Sequence, residues 1–109
     1  MNRKYSLKSN QEIEKLIKGK RSVGNRYYAM YYQPSDQTKI AISPSRKLKT
    51  AVQRNYEKRV VREILRKQLT NLQGLKILVI VKNTVSELSF TEKQNQLRYL
   101  IKKINKEIK

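Results

Sequence analysis

Arg54, Asn55, Lys58, Arg59, Arg62 and Arg66 recur every three or four residues in a stretch without Pro or Gly. On a helix, at about 100° per residue, all but Arg54 fall within an arc of roughly 100°, and Arg54 sits near its edge. The planar guanidinium fork matches the geometry of phosphate, and Arg outnumbers Lys in the arc. A merely solvated helix face mixes signs or sets Glu four residues before Lys. This face is nearly all one sign, so the chemistry it offers is docking onto the backbone of RNA or DNA.

The rest of the chain offers little else to react with. There are 26 Lys and Arg against 8 Asp and Glu in 109 residues, a net charge of +18 that calls for a polyanionic partner. Nucleic acid is the first such partner and an anionic membrane surface the second. His and Cys are both absent, which removes the usual general base near neutral pH, thiolate chemistry and the common zinc ligands. The acidic residues are scattered: Glu57 and Glu63 share the basic stretch but point to different sides of a helix. A two-metal nuclease site needs several convergent carboxylates, and no such set is evident. The start of the chain has no apolar h-region, and the longest apolar run, residues 77–81, is too short to span a bilayer. A cytoplasmic protein without a membrane partner or a small-molecule substrate is expected.

The elements that must position the basic face follow from periodicity. Length and an apolar share of 38% fit one domain over residues 1–109 with a modest core. Ser9-Asn10-Gln11-Glu12 is a capping box opening a helix to about residue 18, with Ile13, Leu16 and Ile17 on one face and Gly19 as its stop. Residues 26–33 read as a strand, with Tyr27, Ala29 and Tyr31 on one face and Tyr28, Met30 and Tyr32 on the other. One face fills the core and the other presents rings on which unpaired bases can stack; alternation does not say which is which. Pro34-Ser35-Asp36-Gln37 is a turn, so residues 38–43 are expected to return as the second strand of an antiparallel hairpin. Pro44 should end or bulge that strand.

The basic helix is expected over residues 50–69, with Thr50 as N-cap and two apolar flanks: Val52, Tyr56, Val60 and Ile64 on one, and Val61, Leu65 and Leu69 on the other. After Gly74, residues 75–82 carry an unbroken apolar run suited to a central strand with a parallel neighbour. A loop at 83–88 leads to a second capping box, Ser89 to Glu92, and a last helix to about residue 107 with Leu97, Leu100, Ile101, Ile104 and Ile108 at helical spacing. Lys102, Lys103, Lys106 and Lys109 near its end read as dipole and solvation partners. The expected fold is α+β in the order α-β-β-β-α-β-α, a mixed sheet packed against the basic helix with the first and last helices alongside.

Ala51-Val52-Gln53-Arg54-Asn55-Tyr56-Glu57-Lys58-Arg59-Val60-Val61-Arg62, preceded by Ser43-Pro44-Ser45-Arg46-Lys47 and the strand 39–42, resembles the signature of the protein subunit of bacterial ribonuclease P. That family has a Ser-x-Ser-[Lys/Arg]-Lys segment and then an Ala-Val-x-Arg-Asn-x-x-Lys-Arg-x-x-Arg helix. Where this chain has Pro44, Lys49-Thr50 and Tyr56, the family often has Val, Gly-Asn and a third basic residue. The resemblance implies a ribonucleoprotein endonuclease that removes the 5′ leader of precursor tRNA. It implies hydrolysis by the RNA subunit with Mg²⁺ held mainly by RNA, and no catalytic residue in the protein. Arg46, Lys47, Arg54, Asn55, Lys58, Arg59, Arg62 and Arg66 are the implied RNA contacts. Ile13, Ile17 and Tyr31 are the implied leader cleft, with two aliphatic residues where the family often has aromatics. It also implies a left-handed β-α-β crossover, against the right-handed general rule. A small ribosomal or other structural rRNA-binding protein is the alternative that charge alone leaves open. A self-sufficient nuclease would need chemistry the side chains do not supply.

Overall fold

The structure, a computed structural model, describes residues 10–19 and 21–108. Ser9 of the first capping box and Lys109 lie outside the described residues. In chain order the elements are α1 (Asn10–Lys18), β1 (Ser22–Gly24), β2 (Tyr28–Pro34), β3 (Lys39–Pro44), α2 (Ala51–Arg66), β4 (Leu75–Val81) and α3 (Phe90–Ile108). Short 3-10 turns, Leu69–Leu72 and Asn83–Glu87, flank β4. This is the expected α-β-β-β-α-β-α order, with β1 in a short segment where only the family resemblance implies a strand.

The strands lie in the order β1-β2-β4-β3. The hairpin expected between the second and third strands does not form. β4 lies between them, antiparallel to β2 with Tyr31 opposite Leu78, and parallel to β3 with Ile40 opposite Ile77. The cause is β4 itself: Ile77, Leu78, Val79 and Val81 are all buried, so this strand needs neighbours on both edges and cover on both faces. β3 is thereby left at the sheet edge, where Pro44 can end it without leaving a central ladder short of a donor.

One sheet face carries Tyr28, Met30, Tyr32, Ile40, Ile77, Val79 and Val81 into the main core. It meets Val60, Val61, Ile64 and Leu65 of α2 and Leu97, Leu100, Ile101 and Ile104 of α3. The opposite face is covered by α1: Leu16 packs on Ala41 and Leu78, with Ile13, Tyr31 and Ile80 partly buried around them. Tyr27, expected to share a face with Tyr31, instead lies in the bend before β2 and packs against the main core. The alternation holds only from Tyr28 onward, where the pleat begins.

Local rules place the helix ends. The Thr50 hydroxyl accepts from the Gln53 backbone N–H at 3.0 Å, and the Gln53 side-chain Oε1 accepts from the Lys49 backbone N–H at 3.2 Å. The second capping box is reciprocal: Ser89 N–H donates to Glu92 at 3.1 Å, and Glu92 N–H donates to the Ser89 hydroxyl at 3.2 Å. The Ser89 backbone N–H, and after it the hydroxyl, holds the Glu92 carboxyl below its usual range. α2 ends at Arg66, earlier than residue 69, because Leu69 opens a tighter 3-10 turn.

Candidate RNA-binding surface

The buried stripe of α2 is Glu57, Val60, Val61, Ile64 and Leu65. Asn55, Arg59, Arg62 and Arg66 project from the other side and are exposed, with half-buried Lys58 at the margin. The Arg66 guanidinium reaches Glu63 at 2.6 Å in a solvent-exposed pair, so one cation of the arc is partly neutralised. Val52 and Tyr56 do not flank the core as expected: they are 79% and 54% exposed. The reason is the drift of an i, i+4 row, roughly 40° per step, which carries a row from solvent at Val52 to the core at Ile64. The basic face thus includes an apolar and an aromatic side chain at its N-terminal end.

Arg54 plays a separate part. Its Nη1 donates to the Leu48 carbonyl at 2.9 Å, and Leu48 is buried in the core. The Ser45 hydroxyl accepts from the Lys47 N–H at 3.1 Å, and the Ser45 carbonyl accepts from the Leu48 N–H at 3.2 Å. Arg54 therefore braces the turn from which Arg46 and Lys47 project into solvent. Arg46 and Lys47 also line a hollow of about 450 Å³ together with Arg26, Lys82 and Thr84. Lys82 donates to the Asn25 carbonyl at 2.6 Å, and Thr84 to the Arg26 carbonyl at 2.7 Å. Neither Arg26 nor Lys82 stands out in the sequence. They join Arg46 and Lys47 because the start of β2 lies opposite the end of β4, and the end of β3 lies beside it.

A family profile for ribonuclease P matches residues 1–105. The chain belongs to the ribonuclease P protein family. It is 34% identical to the ribonuclease P protein component of Mycoplasma mobile over 105 residues, 96% of this chain and 94% of that one. It is also 34% identical to that of Bacillus pumilus over 107 residues, covering 94% of this chain and 90% of the relative. Among solved structures, the Staphylococcus aureus RNase P protein superposes with a TM-score of 0.83 at 30% identity, covering 90% of this chain and 93% of that chain. The Thermotoga maritima RNase P protein gives 0.81 at 28% identity, over 90% of this chain and 96% of that chain. The role is that of a ribonuclease P protein component in tRNA processing, and a structural ribosomal protein is not favoured.

Within this ribonuclease P protein, the three residues expected at the leader cleft share one side of the sheet. Tyr31 and Ile13 are partly buried beside Leu16, and Ile17, on the same helix, is 45% exposed. Tyr28 and Tyr32 face the main core on the other side. The Tyr28 hydroxyl is buried without a hydrogen-bond partner, and burial, then the nearby Glu57 charge, raises its pKa. Tyr32 donates to Glu107, which raises its pKa in turn. Sequence reasoning also missed the ion pair beneath the basic face: Lys93 Nζ lies 2.9 Å from Glu57 Oε1, both residues under 5% exposed, with the Tyr56 ring 5.2 Å from the ammonium. Among the described residues, no group of three or more His, Cys, Asp or Glu converges in a way that could hold a metal ion. No helix among the described residues is long and apolar enough to cross a membrane.

Proposed function

We propose that this chain acts as the RNA-docking and leader-holding subunit of ribonuclease P, with hydrolysis performed by the RNA subunit and Mg²⁺ held by RNA. The exposed α2 arc of Asn55, Arg59, Arg62 and Arg66, with Lys58, engages the phosphates of the RNA subunit, and the braced turn carrying Arg46 and Lys47 extends that contact. Arg54 contributes through the turn it holds. The single-stranded 5′ leader of precursor tRNA lies on the α1 side of the sheet, against Tyr31, with Ile13 and Ile17 at its rim. The work is cytoplasmic, and the β3-α2-β4 crossover is left-handed. The observation that carries the reading is the one-signed arc opposite the buried stripe of α2, in a chain of net charge +18.

Each phosphate contact contributes about one unit or slightly less to the slope of log K against log salt. Arg59→Ala and Arg62→Ala should each weaken binding to the RNA subunit and reduce that slope by about one unit. Unchanged affinity and slope in both variants would mean the face is only solvated. A second expectation concerns the chemistry: the purified protein, freed of RNA, does not cleave precursor tRNA in Mg²⁺. Cleavage that persists after exhaustive removal of RNA would assign the hydrolysis to the protein.

A further inference from the structure

α3 carries a second basic surface. Arg98, Lys102 and Lys106 recur every four residues along one side, about 6 Å apart at 1.5 Å rise per residue. They line a hollow of about 330 Å³ whose opposite wall is Gln68 and Asn71, beyond the end of α2. Ile101 and Asn105 complete the lining, and no acidic residue is part of it. Among the described residues, none of the three cations has an ion-pair partner.

Helix-dipole compensation does not account for this arrangement. That effect falls off within the last turn. Arg98 stands far upstream of the helix end at Ile108. The wall opposite the cations adds side-chain amides. Asn71 Nδ2 donates to Gln68 Oε1 at 2.8 Å, which leaves the Gln68 N–H groups and the Asn71 carbonyl oxygen to other partners, and Asn105 shares the same hollow. A row of unpaired cations beside donors and acceptors of both kinds matches a nucleotide: phosphates on the cations, sugar or base edge on the amides.

We infer that the hollow between α3 and the α2–β4 connection is a second RNA-backbone site, separate from the α2 arc. It seats a single RNA strand on Arg98, Lys102 and Lys106. This inference rests on the ribonuclease P subunit reading. The strand can belong to the RNA subunit or to precursor tRNA, since the chemistry is the same for both.

The test compares the triple variant Arg98→Ala/Lys102→Ala/Lys106→Ala with the pair Arg59→Ala/Arg62→Ala. Affinity is measured against salt in two arms: the RNA subunit binding free protein, and precursor tRNA binding the reconstituted holoenzyme. Ala is the best helix former, so the exposed triple substitution should leave α3 and the thermal unfolding curve intact. A single-stranded phosphate contact contributes about 0.7 to the slope, so the triple variant should lose about two units in one arm. That is about 50-fold in affinity at 0.15 M salt if binding at 1 M is unchanged. Lys102→Ala alone should lose about 0.7, and the charge-preserving Lys102→Arg almost nothing. The arm that responds identifies the strand. If both arms keep their slope in the triple variant while the α2 pair loses its own, the hollow is solvated and the inference fails with the subunit reading intact. If the α2 pair is also without effect, the RNA-docking reading of α2 fails with it.

Discussion

Glu57→Ala is expected to destabilise the fold by roughly 3–5 kcal/mol, the usual cost of removing one partner from a buried ion pair. For a domain of this size, at about 4 °C per kcal/mol, that is a fall in Tm of about 12–20 °C. The variant leaves Lys93, a residue 4% exposed, without the carboxylate that its ammonium meets at 2.9 and 3.0 Å. Only the Tyr56 ring would remain over it, and a cation–π contact offsets about 0.5–2 kcal/mol. The control is Glu57→Met with Lys93→Met. Replacing both ions by apolar side chains of similar length should be neutral or stabilising by about 1–4 kcal/mol, because the desolvation cost disappears from both groups. Thermal and urea unfolding of the single and double variants decide it. A single-variant loss below about 1 kcal/mol would show that water reaches the pair and that it behaves as a surface salt bridge.

That pair also shows where sequence reasoning stops. Features encoded within a few residues were legible: Thr50 and Ser89–Glu92 cap the helices as their types require, and the arc of Arg59, Arg62 and Arg66 is exposed as the spacing predicts. The unbroken run of β4 foretold a central strand with a parallel neighbour, and β4 is both. What it displaced was not legible, because neither β2 nor β3 contains any mark that a third strand would separate them. In the sequence Glu57 is only one of eight scattered acids. Its meaning depends on Lys93, 36 positions away on a different helix. The hollow holding Arg26, Arg46, Lys47 and Lys82 has the same origin, since its residues meet only once the strand order is known. Val52 and Tyr56 were misread for a different reason: an i, i+4 row drifts across a wide arc over a helix of 16 residues.

Tyr31→Ala is expected to weaken holoenzyme binding to precursor tRNA by roughly ten- to a hundredfold, since a base resting on an aromatic ring is worth about 1–3 kcal/mol. Mature tRNA, which has no leader, should bind almost unchanged. The expectation depends on the proposed path of the leader across the α1 side of the sheet. There the Tyr31 ring is half-buried beside Ile13, Ile80 and Leu16, while Ile17 stands exposed further out on α1. A ring so placed is held by packing on one side and leaves part of its surface to a ligand. Truncation will also cost stability, because Tyr31 packs against the cluster of Leu16, Ala41 and Leu78. Loss of folded protein lowers binding to both RNAs alike, so the ratio of precursor to mature affinity is the decisive quantity. Tyr31→Phe keeps the ring and should keep that ratio. Equal weakening toward both RNAs would make Tyr31 a packing residue and move the leader away from this face. Tyr28 and Tyr32 could not then take its place, because both rings are buried in the main core beneath α2 and α3.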